Sequence, residues 1–221
     1  MQSDLESEIQ FARQHNIGDI LRRSAMRFPD KTAIICGQTE WTYKAFDTAC
    51  NQLARHLLAR GISAGDKIAV IARNSHGFAA IRFAIARIGA VLVPINFMLN
   101  ANEVRYILNS SRSKMLALGP EFIDIGLEAI SKGTDIEITL GLPSEHQSSS
   151  LKTDLRFEGL LTGDATAPEI HLDDRSLAQI VYTSGTEAMP KGAMLSHSAV
   201  LWQYTSCIID GEMTTSDVML H

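Results

Sequence analysis

Short apolar runs alternating with longer amphipathic ones constrain the fold of this chain more than any other feature. Lys67 to Ala72, Ala90 to Val93, Lys114 to Leu118 and Ile136 to Leu140 each carry apolar residues consecutively. That is the pattern of a strand covered on both faces. Ser75 starts a helix between the first two, with Ile81, Ile85 and Ile88 on its face and Gly89 to stop it. Asn100 and Glu103 form a capping pair for a helix over 101–109, where Val104, Ile107 and Leu108 are apolar. Glu121 to Ile130 predicts a further helix. Strands separated by helices that can serve as right-handed crossovers predict an α/β fold: layered, largely parallel sheets with flanking helices.

The flanking segments fit that frame. Gly18 to Phe28 reads as a short surface helix with Ile20, Leu21, Met26 and Phe28 among arginines, stopped by Pro29. Lys31 to Tyr43 reads as a hairpin turning at Gly37-Gln38, with Trp41 and Tyr43 as packing residues. The Thr42 hydroxyl can accept a first-turn N–H and so cap the next helix. Phe46, Cys50, Leu53 and Leu57 form that helix's buried face, and Gly61 ends it. Pro143 to Ser150 has no periodicity and reads as a mobile surface loop in which His146 is solvated. Leu155 to Leu161 predicts a short helix, and Thr162 to Pro168 a loop. Asp173-Asp174 caps the approach to a strand over 177–181. Asp217 to Leu220 reads as the start of another strand.

Composition narrows the function classes. The 221 residues are 45% hydrophobic, ample for a core, and carry a formal charge of −5. The basic residues are scattered, without aromatic interleaving, which argues against nucleic-acid binding. Cys36, Cys50 and Cys207 are widely and irregularly spaced, so neither a disulfide framework nor a zinc site is indicated, and buried thiols in a reducing cytosol are expected. The acidic, polar start Met1 to Gln10 does not look like a signal peptide, and no run is long enough to span a bilayer. No Gly-x-Gly-x-x-Gly follows an early strand, which counts against a dinucleotide fold.

The chemistry concentrates in Tyr182-Thr183-Ser184-Gly185-Thr186-Glu187-Ala188-Met189-Pro190-Lys191-Gly192. The apolar run 177–181 leads into it, and the pattern Val200, Tyr204, Ile208 follows. Strand, Gly/Ser/Thr loop and helix in that order can wrap a backbone around an anion. The spacing is not that of a Walker loop, because Lys191 is preceded by Pro190 and followed by Gly192 instead of Ser or Thr.

This run, with Leu195-Ser196-His197 beyond it, resembles the signature loop of the adenylate-forming (AMP-binding) superfamily, which includes acyl-CoA synthetases, luciferases and peptide-synthetase adenylation domains. That family usually reads Thr-Ser-Gly-Thr-Thr-Gly-x-Pro-Lys-Gly. Here Glu187 and Ala188 stand at the second Thr and the following Gly, as in variants among bacterial fatty-acyl ligases. Gly89-Ala90-Val91-Leu92-Val93-Pro94-Ile95-Asn96 is similar to an early segment of the same family, so the resemblance covers nearly the whole chain.

The resemblance implies an amino-terminal portion of an acyl-CoA synthetase or fatty-acid–CoA ligase. In that chemistry a carboxylate attacks the α-phosphate of ATP to give acyl-AMP and pyrophosphate, and coenzyme A then displaces AMP. It implies ATP, Mg2+ and coenzyme A as cofactors. It assigns the ATP phosphates to Thr183, Ser184, Gly185, Thr186, Lys191 and Gly192, and no catalytic or metal-binding residue to this chain. Glu187 is expected to face solvent, and His197 to be an ordinary polar residue of a first helical turn. Residues 1–221 would form an incomplete AMP-binding domain, with a subdomain boundary near 163–176 and a carboxyl-terminal domain missing. Such a piece is expected to be inactive alone and to self-associate through its exposed edges. The expected location is cytoplasmic, either free or peripheral to a membrane. Two alternatives stay open: a ligase delivering acyl-AMP to a carrier protein, and a shortened non-enzymatic module that binds a nucleotide or partner.

Overall fold

The computed structural model describes Ile9, residues 15 to 183 and residues 189 to 220. Helix α1 (Ile17–Arg27) opens on a capping box, in which Asn16 and Asp19 accept from each other's backbone N–H. Ile17 and Leu21 are its buried apolar residues, while Met26 and Phe28 are exposed, so the buried stripe lies a turn earlier than the sequence suggests. Strands β1 (Thr32–Cys36) and β2 (Thr39–Thr42) form the expected hairpin as a separate two-stranded sheet. The Trp41 ring stacks 6.0 Å from Phe46 and 6.4 Å from Phe157, a packing role. The Thr42 hydroxyl caps α2 (Tyr43–Ala59) by accepting from the Ala45 N–H at 3.2 Å.

Among the described residues the main sheet has seven strands, in the order β7 (Leu155–Arg156), β6 (Ile138–Gly141), β5 (Ser113–Leu118), β3 (Lys67–Ile71), β4 (Val91–Pro94), β8 (Leu177–Thr183) and β9 (Lys191–Ser196). Its centre is β3 (Lys67–Ile71), with β4 (Val91–Pro94) parallel on one side and β5 (Ser113–Leu118) parallel on the other. Helix α3 (His76–Arg87), capped by the Ser75 hydroxyl, connects β3 to β4. Helix α4 (Ala101–Ser111), opened by the Asn100/Glu103 capping box, carries the chain back across β3 to β5. Right-handed crossovers running in opposite directions put these helices on opposite faces. Side chains alternate accordingly. Ile68 and Val70 pack with α1, α2 and α3, and Ala69 and Ile71 with α4 and α5 (Ile123–Ile130). Burial of each of these isoleucine and valine side chains contributes about 1.5–3 kcal/mol. Gly61 and Gly89, at φ +78° and +70°, provide the predicted left-handed stops after α2 and α3.

Between α2 and α3 sits a buried polar tie. The Arg87 guanidinium pairs with Asp47 and donates to the Asn51 side chain. Cys50, fully buried nearby, has its thiol pushed up to about 12, chiefly by burial.

The far edge departs from the sequence reading. After β6 (Ile138–Gly141), the expected helix at 155–161 is instead the two-residue strand β7 (Leu155–Arg156) followed by a 3-10 turn, Phe157–Leu160. Side-chain hydrogen bonds fix this segment. The Asp154 carboxylate accepts from the Thr139 N–H at 2.8 Å and its hydroxyl at 2.7 Å, and Glu158 accepts from the Ser149 N–H at 2.9 Å. Ser149, inside the stretch read as a surface loop, is therefore buried, whereas His146 is exposed as expected. Residues 161 to 176 form no helix or strand, after which β8 (Leu177–Thr183) joins the same sheet beside β4.

A further strand was not anticipated. Strand β9 (Lys191–Ser196) runs antiparallel to β8 before α6 (His197–Asp210) begins. The signature run thus begins at the end of β8 and finishes at the start of β9, so a second strand stands between it and the helix. Residues 217–220 form no strand, and Val218 and Leu220 are 94% and 100% exposed with no neighbour to pair with. Among the described residues no helix is long and apolar enough to cross a membrane.

Candidate functional site

Parallel strands bring their carboxyl ends to one edge, and in open α/β sheets ligands bind at that edge where the connections reverse direction. Here the reversal occurs around β3, whose successors go to β4 on one side and β5 on the other. Leu92 of β4 pairs with Gln179 of β8, so Pro94 lies level with Val181 and β8 projects past it to Thr183. The segments following β3, β4 and β5 meet at this edge. The Arg73 guanidinium sits 5.2 Å over the Phe97 ring, and that ring lies 5.7 Å from Phe122.

Thr183 and Lys191 form the last described rung of the β8–β9 hairpin, and both are exposed. Directly opposed residues share a face, with Cβ atoms about 4.5–5.5 Å apart. A hydroxyl-bearing and an ammonium-bearing residue thus share one face at the carboxyl edge. One rung inward, Tyr182 opposes Gly192 on the other face. A Cβ on Gly192 would come within 2.8 Å of Ile180 Cγ2 and 3.1 Å of Tyr182 Cζ, so Ile180 first and the Tyr182 ring second leave room only for glycine there. Of the predicted phosphate-binding residues, Thr183, Lys191 and Gly192 are brought together at the base of the turn. Ser184, Gly185 and Thr186, with Glu187 and Ala188, lie outside the described residues.

Helix α4 holds both arms of this hairpin, which sequence reasoning missed. The Tyr106 hydroxyl donates to the Pro190 carbonyl at 3.3 Å, and the Tyr182 hydroxyl donates to Ser110 Oγ at 2.9 Å. The four-residue spacing of Tyr106 and Ser110 on one helix face was visible in the sequence. Their partners, 84 and 72 positions away, were not.

His197 opens α6, in the first helical turn as expected. It is fully buried, and its Nδ1 accepts from the Ile17 N–H at 3.3 Å, which leaves the ring proton on Nε2. Nε2 is buried without a hydrogen-bond partner among the described residues. Burial pushes the His197 pKa below its ordinary value, against the opposing pull of Asp19 and Asp174. The ring joins the starts of α1 and α6 in their neutral packing.

The edge suits an anion. Lys191 supplies charge and Thr183 a hydroxyl donor. Among the described residues no three His, Cys, Asp or Glu side chains converge as a metal site.

Comparison with known proteins identifies the family and the fold. The chain matches the AMP-binding enzyme family over residues 21–221, and it belongs to that family. It is 30% identical over 206 residues to 4-hydroxybutyrate–CoA ligase 2 of Metallosphaera sedula, covering 90% of this chain and 37% of that protein. It is 29% identical over 211 residues to the medium-chain fatty-acid–CoA ligase of Escherichia coli, covering 93% and 37%. Among solved structures it is similar to a Mycobacterium tuberculosis fatty acyl CoA synthetase, with a TM-score of 0.72, 29% identity and coverage of 87% and 37%. The chain spans little more than a third of the length of the curated relatives it matches.

Proposed function

We propose that this chain supplies the phosphate-holding hairpin of an ATP-dependent ligase that activates a carboxylic acid, a fatty acid foremost, and passes the acyl group to coenzyme A. The observation that carries the reading is the placement of Thr183 and Lys191 side by side at the carboxyl edge of the parallel strands, at the base of the Ser/Gly/Thr turn. Family membership and the acid–CoA ligases among the relatives support it.

Lys191 would neutralise charge that builds on the phosphates leaving as pyrophosphate, and Thr183 would donate to a phosphate oxygen. Mg2+, brought with the nucleotide, would supply positive charge beside that of Lys191. A carboxylate is already a nucleophile, so positioning and electrostatics suffice without a general base. The 221 residues alone are expected not to complete the reaction, given the share of the relatives that they span. Apolar residues exposed on β9 and α6 would also let this piece self-associate.

The test is ATP–pyrophosphate exchange by the protein at its native length, with short, medium and long fatty acids, benzoate and 4-hydroxybutyrate offered in turn. Exchange that depends on a straight-chain acid, followed by coenzyme A-dependent release of AMP, is the expected result. Exchange with none of the acids would overturn the reading. AMP release requiring a carrier protein instead of coenzyme A would change the acceptor.

A further inference from the structure

We infer that Tyr106 is a positioning residue, which sets the place of Lys191 by holding the carbonyl of Pro190 immediately before it. The inference rests on the nucleotide reading of the hairpin given above. Three observations carry it. First, the Tyr106 hydroxyl donates to the Pro190 carbonyl at 3.3 Å, and Pro190 immediately precedes the first residue of β9. Second, β8 is fastened to the same helix one turn further on, through the Tyr182 hydroxyl and Ser110 Oγ at 2.9 Å. Third, Gly192 has no side chain to displace the Tyr182 ring from that position.

The physical sense of the arrangement lies in what β9 lacks. As the outer strand it has one neighbour, and Lys191, Gly192, Ala193 and Met194 are all exposed. A strand held from one side only frays at its end, and the end in question is where the ammonium must stand. Proline has no N–H for the ladder, so its carbonyl is the backbone group available at that position for an outside hold. Tyr106 supplies one from a helix whose own face is buried through Val104, Ile107 and Leu108. The phenol ring packs against the same core cluster, so its hydroxyl is delivered by a fixed side chain. Tyr106 touches no phosphate in this account. It acts through Pro190 on Lys191.

The test uses Tyr106→Phe, which keeps the ring and its packing and removes only the hydroxyl. The readout is the Kd for Mg·ATP by calorimetry on the protein at its native length, with thermal melting followed alongside. Tyr106→Phe is expected to weaken Mg·ATP roughly three- to tenfold, the range to which one hydrogen bond's net worth converts. Lys191→Ala should weaken it more, and adding Tyr106→Phe to Lys191→Ala should cause no further loss, because the hydroxyl acts through the lysine. A merely structural role would instead give losses that multiply in the double variant, and that result would overturn the inference. So would an unchanged Kd in Tyr106→Phe where Lys191→Ala is weakened. If Lys191→Ala binds as tightly as the unsubstituted protein, or neither binds, the nucleotide reading itself falls and takes the inference with it.

Discussion

The body of the sheet and its β8–β9–α6 margin are built on different terms. In the body, β3, β4 and β5 are covered on both faces, and Ile68, Val70, Met115 and Leu116 are fully buried between helices that the same stretch of chain supplies. At the margin, β9 is an outer strand and Met194, Trp202 and Ile209 are 72%, 71% and 67% exposed. Strand β8 joins it to the body by pairing with β4 and through Ile180 in the α4–α5 core, and a small cluster of Ile17, Ala86, Ala178 and Val200, the buried His197 and the two tyrosine hydrogen bonds to α4 hold the rest. The contrast teaches where each requirement sits. Stability is concentrated in the body, while the groups that would meet a ligand are carried on a part held by a few specific contacts.

Four substitutions or conditions would sharpen or break this contrast. Leu116→Ala, in the body, is expected to cost about 2–5 kcal/mol in urea unfolding, since its site is fully enclosed. Gly192→Ala should cost about 1–3 kcal/mol by crowding Ile180 and Tyr182. That loss should appear as faster hydrogen exchange of β8 and β9 amides, with the strands of the body left protected. Equal loosening of β3 and β5 would erase the distinction between the two regions.

The third prediction concerns pH. His197 titrates in the folded state below its ordinary value of 6.5 because it is buried, so just below that pH the unfolded chain holds the proton more often. Stability therefore falls as pH drops through 6.5 and continues to fall until the folded-state value is reached. Burial lowers His76 with the same sign, so the His197 share is the part of the slope removed by His197→Gln. An unchanged slope in that variant would contradict the buried neutral ring. The smallest effect belongs to Trp202→Ser, expected to change stability by no more than about 0.5 kcal/mol. It should also reduce any self-association seen by light scattering, which a fully solvated margin would not show.

The same division governs what could be read from the sequence. The caps at Thr42, Ser75 and Asn100 and the stops at Gly61 and Gly89 act over three or four residues, so they were legible and placed α2, α3 and α4 correctly. The consecutive apolar strands were legible because both of their faces are buried. Strand β9 was not, since Lys-Gly-Ala-Met-Leu-Ser has neither alternation nor continuous apolarity and is a strand only because β8 lies beside it. Strand β7 was missed for a similar reason, as its two residues owe their place to Asp154 and Glu158 acting across the loop. The resemblance of the signature run directed attention to Thr183, Lys191 and Gly192, and the fold set them on the facing ends of two paired strands. It could not show that Gly192 makes room for a tyrosine, or that His197 would be sealed against α1.

The central claim is that the hairpin holds the phosphates of ATP, and Lys191 is the residue on which it turns. The most direct measurement is carboxylic-acid-dependent ATP–pyrophosphate exchange by the native-length protein and by its Lys191→Ala variant. Because the exposed ammonium lies outside the core, the variant should melt with the unsubstituted protein. Its exchange should fall about tenfold or more, the scale of losing a charge-assisted hydrogen bond. Exchange at the unsubstituted rate in a folded Lys191→Ala protein would contradict the account.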